Sequence, residues 1–503
     1  MLVVAGRYRR RVPDARLRWW LAALALGIAA WTALAVPAHA TYGGRTTADE
    51  PQYLLSALSL AEDLDLDLSD ELRDERWRDF HEADLPVQTE PNADGREVSP
   101  HDPLLPVVLA APMAVGGWMG AKLALAALAG ALAAATAWVA VRRFAVSPPV
   151  ALGVAGGFAA SPPLVAYGTQ VYPELPAALA VTVAVGALTG PLARRGRLVL
   201  GLAVVALPWL AVKYVPVAGV LALLALVALW RRGDRPAAGW LATALAAAGV
   251  AFVALHRVVY GGWTVYAAGD HFAETGEASV VGVDPDYLGR TQRVLGLLVD
   301  RSFGLVVWAP VFLLAVVALG ALARRRPPGW PALALPLAAG WATATWVALT
   351  MHGWWWPGRQ VVVVVPLAVV ATAWWLERHR RALAAFALAA VVGAFSWLWL
   401  VAEVLRERLR LIIDFDATTG PWVRLARPAL PDFRQPGART AVLAVLWAVV
   451  LVGLAAWGWR SERRSDADAG RRRAGGQHQD AGAGEVAEPH VATVDLDREG
   501  AVG

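Results

Sequence analysis

The chain contains no cysteine and few charged residues. The absence of cysteine excludes a disulfide scaffold, a thiolate metal site and a cysteine nucleophile. Only 17% of the 503 residues are charged whereas 57% are apolar, and the mean hydropathy is +0.46, which excludes an ordinary soluble globular protein. The side chains left for chemistry are carboxylates, histidines, tyrosines and cations, in a protein that we expect to lie in a lipid bilayer.

Long apolar runs recur along most of the chain. A helix that crosses the hydrocarbon core needs about 20 apolar residues, and such runs begin near Trp19 and recur until Trp459. This pattern predicts an all-α, polytopic membrane protein with about twelve transmembrane helices at 19–459. The first run, at about 19–38, resembles a signal peptide, but its length and the many later spans favour a retained helix.

The distribution of charge predicts which connections lie on each side. A basic segment at 1–18 and arginine clusters at alternate connections indicate the cytoplasm, together with both termini, under the positive-inside rule. The remaining connections then face outward, and segment 41–103 alone has 17 acidic and 5 basic residues. The tail at 460–503 is rich in Gly, Ala, Arg and Asp and is predicted to be disordered. We therefore expect a multi-pass protein of the plasma membrane with outer loops at 39–103, 260–302 and 403–440.

One apolar segment is too short for a full span. Leu104 to Val115 has about a dozen residues and ends at Gly116-Gly117. If it crossed the bilayer, every later arginine cluster would lie outside. We therefore expect a juxtamembrane or partly inserted helix on the outer face, followed by the second full span at about 121–141.

Two adjacent carboxylates, Asp49 and Glu50, follow the first predicted span and precede Pro51. Proline favours the first position of a helix, and an acid before it is a plausible N-cap. A cap uses one acid, whereas two consecutive carboxylates also supply a polar cavity with a base and a second anchor. Both interpretations are open from the residues alone.

Further polar groups mark the predicted outer ends of helices. His101 and Asp102 precede Pro103, where a capping Asp explains the pattern without a function. Glu174 stands at the start of the fourth span, where an acid also interacts favourably with the helix dipole. Lys213 interrupts two apolar runs on the face opposite the arginine clusters, so it either snorkels to the headgroups or binds an anionic ligand.

The predicted loop at 260–302 has two features of interest. Asp270, His271 and Glu274 have a spacing that suits a divalent cation but no clear fourth ligand, so a divalent cation stays an open cofactor and no metal ligand is assigned. Arg301 follows Asp300, and the two form either a local ion pair at a helix start or part of a phosphate-binding surface.

The connection between the ninth and tenth predicted spans contains three consecutive tryptophans, of which Trp355 and Trp356 are the last two, between His352 and Arg359. Tryptophan is typical of the belt at a membrane interface. Three in a row between His and Arg also suit a sugar or prenyl-phosphate surface, because aromatic rings stack on apolar sugar faces and Arg binds phosphate in a fork.

On these residues the chain resembles the GT-C superfamily of polytopic glycosyltransferases, which includes the aminoarabinose transferases of lipid A and the protein O-mannosyltransferases. The resemblance covers roughly 19–360. Its most specific element is the Asp-Glu pair of the first outer loop, matched by Asp49-Glu50 with Tyr53 after it. Pro103-Leu104, Glu174 and Lys213 follow in the order of the family.

The resemblance implies a cell-envelope glycosyltransferase that moves a sugar from a polyprenyl-phosphate donor to a hydroxyl of a glycan, lipid or protein acceptor. Transfer is expected at the extracytoplasmic face with inversion, among membrane lipids and without nucleic acid. Asp49 is the expected general base, with Glu50 and Glu174 beside it. The expected phosphate ligands are Lys213, Arg359 and Arg301, and the expected acceptor or sugar contacts are Tyr53, His101, Asp102, His352, Trp355 and Trp356.

The sequence also departs from that family. Asp102 stands where the aminoarabinose transferases have a lysine, so a phosphate-binding role does not carry over to it, and Gln52 stands where relatives often have Arg. Two other functions are open: a lipid or solute transporter, such as a flippase, and a non-catalytic assembly partner. A transporter predicts polar residues near the middle of broken helices, whereas an assembly partner predicts dispensable carboxylates.

Overall fold

The computed structural model describes residues 14–85, 88–92, 94–268 and 285–481, with side chains up to 462. Within these ranges the protein is mostly helical and has no strand. The pairings of extended backbone are isolated bridges, for example between Asp67 and Val98. The expected all-α class is therefore confirmed for the described residues.

The described residues before the gap at 269–284 form ten α-helices. They are α1 (Asp14–Ala33), α2 (Glu50–Glu62), α3 (Ser69–Arg73), α4 (Leu104–Arg143), α5 (Pro148–Ala159), α6 (Leu164–Tyr167), α7 (Glu174–Leu188), α8 (Arg194–Leu210), α9 (Val215–Arg231) and α10 (Arg235–Val259).

The described residues after that gap form nine more α-helices. They are α11 (Tyr287–Arg290), α12 (Arg293–Val299), α13 (Leu305–Trp308), α14 (Val311–Arg325), α15 (Trp330–Ala342), α16 (Val365–Arg378), α17 (Leu383–Leu405), α18 (Pro421–Ala426) and α19 (Ala438–Ala481). Short 3-10 helices connect several of them, notably at Arg76–Asp79, Val212–Tyr214, Val265–Ala268, Arg359–Val364, Arg380–Ala382, Phe415–Ala417 and Arg427–Ala429, and a π-helix at Thr343–Val347 follows α15.

Six helical segments in the described part of the chain are long and apolar enough to cross a bilayer, and α5 and α7 are shorter apolar helices. The expected number of about twelve spans therefore stays a prediction. So do the sidedness and the division at 1–18, 19–459 and 460–503, and the backbone of α19 runs through the last boundary to Ala481. The six segments are Leu104–Arg143, Val212–Arg231, Arg235–Val259, Arg359–Arg378, Arg380–Leu405 and Ala438–Glu462.

The helix α4 is interrupted at the point that the sequence indicates. Gly116 and Gly117 both leave helical conformation, and Gly117 has a φ of +57°, which glycine adopts without steric cost. The break separates the segment that begins at Leu104 from a longer one that ends at Arg143. Whether the first segment lies outside the bilayer stays a prediction.

Close contact between helices depends on small residues. A Cβ atom at Gly130 of α4 would overlap the backbone carbonyl of Ala25 in α1, and one at Gly320 of α14 would overlap Ala455 in α19. In lipid, helices gain stability from such close van der Waals packing because burial of apolar surface contributes little between them. The two outer helices α1 and α19 therefore pack tightly on the bundle.

The centre of the bundle consists of α7 and α16. Nearly every residue of the continuous segment Val361–Leu376 is buried, and α7 packs against α4, α8 and the 3-10 helix at Arg359–Val364. At the periphery, residues such as Trp240 and Val258 are largely exposed, as expected of surface that faces lipid. Because Glu174 begins α7 and Arg359 begins the segment before α16, these two charged residues lie at one end of the core.

Candidate active site

The two consecutive carboxylates at the start of α2 have different partners. Asp49 occupies the N-cap position but makes no side-chain cap hydrogen bond, and its Oδ2 accepts a hydrogen bond from Nη2 of Arg359 at 2.7 Å. Glu50 is fully buried and accepts hydrogen bonds from the backbone N–H groups of Thr47 and Val171, at 3.3 and 2.8 Å. The capping interpretation thus fails for Asp49, whereas Glu50 fastens the helix start to the loop before α7.

Arg359 is the centre of the polar contacts. Gly358 before it has a φ of +87°, a left-handed conformation that favours glycine and turns the chain into the 3-10 helix. The Arg359 Nε donates a hydrogen bond to Oε1 of Glu174 at 3.0 Å. Its Cζ lies 4.0 Å from the ring centroid of Tyr172 and 4.8 Å from that of Trp355. The guanidinium is therefore held by two carboxylates and two aromatic rings.

Lys213 completes the group. Its Nζ donates a hydrogen bond at 2.7 Å to the same Oε1 atom of Glu174 that Arg359 contacts. Glu174 has no exposed surface, and its other oxygen, Oε2, has no hydrogen-bond partner. We call Asp49, Glu174, Lys213 and Arg359 the charge array. The structure thus brings these four predicted residues together, two acids and two bases, and their roles stay predictions.

The charge array lies where helices begin. Asp49 precedes α2, Glu174 begins α7, Lys213 lies in the turn before α9, and Arg359 begins the segment before α16. The start of a helix carries unpaired N–H groups and a partial positive charge. Several helix starts in one place favour a bound anion, so the backbone adds to the positive potential of Lys213 and Arg359.

The chain has two lysines, Lys122 and Lys213, and both lie beside buried acids at this end. Lys122 is buried in α4, its Nζ lies 4.0 Å from Oε2 of Glu50, and it donates a hydrogen bond to the carbonyl of Arg45. Lys122 is not among the residues predicted from the sequence. The sequence alone could have indicated this residue, because a lysine within an apolar span is energetically costly and is retained where it pairs or acts.

Tyr53 and His101 lie together beside the array. Their rings stack with centroids 4.6 Å apart, and Nε2 of His101 lies 3.1 Å from Oε1 of Gln88. The ring of Tyr53 also packs edge-on against Tyr172, which lies under Arg359. Both predicted acceptor contacts therefore belong to the same polar region.

Asp102 has a structural role that the sequence did not indicate. Its Oδ2 accepts a hydrogen bond at 3.0 Å from the backbone N–H of Val212, the residue before Lys213. Its Oδ1 lies 3.4 Å from Nε2 of His256, which is fully buried in α10. Asp102 thus fastens the turn that carries Lys213 to α10, and its assignment as an acceptor contact stays a prediction.

Two predicted residues belong to a different group. Arg301 pairs with Asp432 at 3.4 Å, and Nε2 of His352 lies 3.7 Å from Oδ2 of Asp300. Oδ2 of Asp300 also accepts a hydrogen bond from the backbone N–H of Phe433. The ion pairs of Arg301 and His352 therefore connect residues 300–301 and 352 with residues 432–433 rather than with the charge array.

The three tryptophans before Arg359 have different environments. Trp354 is 64% exposed, whereas Trp356 has no exposed surface and packs against Trp308, Trp397 and Phe415 with centroid distances of 5.0 to 5.5 Å. In this structure Trp356 packs as a core residue, so its assignment as a sugar contact stays untested. Trp355, beside Arg359, lies in the polar region.

The pKa values in this region follow from burial and charge. Burial opposes ionisation of Asp49, but Arg359 and further cations outweigh it and hold the pKa of Asp49 below its ordinary value. Burial raises the pKa of Glu50, although Lys122 acts against it, and burial lowers the pKa of His101. At neutral pH, Asp49 is therefore an anion and His101 is neutral.

An apolar cavity of about 530 Å³ lies between α14 and α15. On α14 it is lined by Phe312, Ala315, Leu319 and Leu322, one helix face about 15 Å long. Leu305 also lines it and lies against Gly358, where a Cβ would approach Leu305 Cδ2 to 2.7 Å. The cavity lining thus includes one side chain that lies against the residue before Arg359.

Among the described residues, the group of possible metal ligands lies away from the charge array. Within the described ranges, one group of three acids has carboxylate oxygens close enough to share a cation, and it consists of Asp63, Asp70 and Glu71. The earlier candidates Asp270, His271 and Glu274 lie outside the described residues.

The fold and the charge array together define a polytopic helical membrane protein with a buried ionic site at one end of its core. No family model matches the chain, and no curated protein matches it. Two solved structures are similar to it, both of ArnT from Cupriavidus metallidurans. The structure bound to undecaprenyl phosphate has a TM-score of 0.49 and 14% identity, covering 91% of this chain and 80% of that one. The apo structure has a TM-score of 0.47 and 15% identity, covering 89% and 77%.

Proposed function

We propose that the protein is a membrane glycosyltransferase that uses a polyprenyl-phosphate-linked sugar and glycosylates an acceptor hydroxyl at the extracytoplasmic face. The observation that carries this proposal is the charge array, two cations held by carboxylates where several helices begin, together with an apolar cavity whose lining includes Leu305, a neighbour of the residue before Arg359. A polyprenyl-phosphate donor has the complementary form, an anionic group at the end of a long hydrocarbon chain. The Asp-Glu motif and the order of the other motifs in the sequence support the same function.

Lys213 and Arg359 bind the donor phosphate in this proposal. Arg359 has a planar fork of donors that matches phosphate oxygens, and Lys213 adds a compact charge. Both cations are paired with carboxylates in the structure. An arriving phosphate therefore replaces Asp49 as the partner of Arg359. Glu174 keeps its contact with Lys213 and holds the two cations near each other.

This exchange links donor binding to the activation of Asp49. Arg359 is the nearby cation that contributes most to lowering the pKa of Asp49, and a carboxylate with a lowered pKa is a weak base. When the guanidinium turns to the phosphate, Asp49 becomes more basic and faces the acceptor. The enzyme thereby acquires a stronger base when the donor is in place.

The reaction is a single displacement. The acceptor oxygen forms a bond to the anomeric carbon while the bond between that carbon and the phosphate oxygen breaks, and the electron pair leaves with the polyprenyl phosphate. Asp49 takes the proton of the acceptor hydroxyl, and Lys213 and Arg359 stabilise the charge on the leaving phosphate. Attack opposite the phosphate inverts the anomeric centre.

A radiolabelled polyprenyl-phosphate sugar, supplied to membranes that contain the protein and to proteoliposomes, tests this function. Label in a new acceptor product, absent from membranes with Asp49→Asn, supports the proposal. Movement of the labelled lipid across the bilayer without transfer identifies a transporter. A panel of labelled sugars that gives neither result contradicts both functions and leaves a non-catalytic partner.

A further inference from the structure

A second group of acids lies at the other end of α2, about 20 Å along that helix from Asp49, and the proposed reaction does not use it. Asp63 follows the last residue of α2, and Asp70 and Glu71 lie in α3. One carboxylate oxygen from each of these three residues lies within 4.8 Å of the other two. We call these residues the acidic triad.

Glu71 is the unusual member of the acidic triad. Its side chain is only 2% exposed, and neither of its carboxylate oxygens has a hydrogen-bond partner. Buried polar groups are nearly always bonded, and a buried charge needs a partner. Asp63 and Asp70 are exposed, so the group is open to solvent on one side and buried on the other.

The hydrogen bonds of the neighbouring arginines go to acids outside the acidic triad. Arg76 donates two hydrogen bonds to Glu62, both at 2.8 Å, and Arg73 donates one to Asp74 at 3.0 Å. Burial, which is the largest contribution, and the nearby acids raise the pKa of Glu71 to about 8, as expected of a buried carboxyl beside other acids. Glu71 is therefore mostly protonated at neutral pH, beside two exposed acids.

We propose that the acidic triad binds one divalent cation of the calcium type, independently of the glycosyltransferase site. Carboxylate oxygens are the ligands of hard cations, and Ca²⁺ accepts irregular sets of six to eight oxygens at about 2.3–2.6 Å. Two oxygens bound to one such ion lie at most about 4.6–5.2 Å apart, and the three carboxylate oxygens lie within 4.8 Å of one another. Water completes the coordination on the exposed side.

The bound cation joins the end of α2 to α3. Asp63 holds one side of the ion and Asp70 and Glu71 hold the other, which fixes the segment that follows the helix carrying Asp49 and Tyr53. Three carboxylates supply fewer ligands than a complete calcium-binding loop does. We therefore expect a dissociation constant for calcium on the order of 10⁻⁴ to 10⁻³ M, as in extracellular calcium modules.

Calorimetric titration of CaCl₂ into the purified full-length protein in detergent tests the proposal, with thermal unfolding in calcium and in a chelator as a second readout. We expect one site per chain and a higher Tm in calcium. Glu71→Gln removes both effects and does not lower the Tm in chelator, because it replaces a buried carboxyl that makes no hydrogen bond with an amide of similar size. Asp63→Asn weakens binding at least tenfold.

The matched control is Glu90→Gln, which removes an exposed acid from the same connection and leaves calcium binding unchanged. The proposal is overturned if the wild-type protein binds no calcium and its Tm is the same in calcium and in chelator. It is equally overturned if Glu71→Gln binds calcium as the wild type does, or if Glu90→Gln weakens binding as much as Asp63→Asn. None of these outcomes depends on the transfer activity.

Discussion

Arg359 bonds to Asp49, 310 positions earlier in the chain, and the same guanidinium bonds to Glu174, 185 positions earlier. Asp49 precedes α2, Glu174 begins α7 and Arg359 begins the segment leading to α16. One side chain therefore connects three separate parts of the bundle, and its removal affects both the charge and the geometry of the site.

Replacement of Arg359 by Lys tests this geometry while retaining the charge. A lysine reaches one carboxylate at a time and does not offer a fork to phosphate. We expect kcat/KM for transfer to fall by about 10- to 100-fold, the equivalent of one charged hydrogen bond of roughly 1.5–3 kcal/mol. The control is Arg96→Lys, an exposed residue that pairs with exposed Asp94. Normal transfer by Arg359→Lys would contradict the bidentate role.

Replacement of Asp49 by Asn tests the proposed base. Asn retains the size of the side chain and an oxygen that accepts from Arg359, but it does not take a proton. We expect transfer to be abolished, while membrane insertion and binding of undecaprenyl phosphate persist. Asp84→Asn, an exposed change in the same connection, serves as the control. An inserted Asp49→Asn protein that transfers sugar at the wild-type rate would exclude Asp49 as the base.

Replacement of Lys213 by Ala tests the contact with phosphate. We expect donor affinity to fall by about 1–3 kcal/mol, or roughly 5- to 150-fold, if the ammonium group bonds directly to the phosphate. Binding of undecaprenyl phosphate is measured beside that of undecaprenol, which lacks the phosphate and is expected to bind both proteins equally. Unchanged phosphate affinity, or an equal loss for the alcohol, argues against the role of Lys213.

The two neighbouring carboxylates are expected to respond to pH in opposite directions. The pKa of Asp49 is lowered from 3.8, so the folded protein binds fewer protons there and Asp49 adds stability above that pH. This contribution is lost as pH falls through the folded pKa. The pKa of Glu50 is raised from 4.5, so its contribution is present below that pH and is lost as pH rises through the folded pKa.

Thermal unfolding of Asp49→Asn and Glu50→Gln checks this expectation against the wild type. Between pH 5 and pH 3 the wild type is expected to lose stability relative to Asp49→Asn. Between pH 4 and pH 7 it is expected to lose stability relative to Glu50→Gln as the pH rises. Curves that shift in the same direction for both variants would refute the opposite pKa shifts.

The apolar cavity gives a prediction about chain length. Ala338 lines the cavity on α15, and Ala338→Trp fills part of it. We expect KM to rise at least tenfold for a C55 polyprenyl donor but little for a C10 donor with the same sugar. Ala246→Trp on the exposed surface of α10 is the control. If both donors are affected equally, the cavity does not hold the prenyl chain.

The sequence predicted the helical class because long apolar runs determine it directly, and it predicted the break in α4 because consecutive glycines favour one. It also predicted the residues of the charge array, since acids and a lone lysine at helix ends in an apolar chain have few alternative explanations. The particular pairings were not predictable. Periodicity shows which residues lie at an end of a helix but not which helices are neighbours.

Three residues show which contacts the sequence does not reveal. Trp355 and Trp356 are adjacent in the sequence, but adjacent residues in a tight turn point in different directions, and Trp356 packs into the core, so its role as a sugar contact stays a prediction. The charge of Arg301 is visible in the sequence, but its partner Asp432 lies 131 positions away, and its role as a phosphate ligand stays a prediction. Lys122 was overlooked because the acid it faces, Glu50, is contributed by a different helix.

The distribution of the charge array along the chain has a consequence for biosynthesis. Asp49, Glu174 and Lys213 precede residue 268 and Arg359 follows residue 285, so a growing polypeptide acquires two acids and one base well before the last cation emerges. The ionic balance at this end of the bundle is reached only when the segment that leads to α16 has been inserted. A chain truncated before that point would lack Arg359, the residue whose guanidinium donates a hydrogen bond to Asp49.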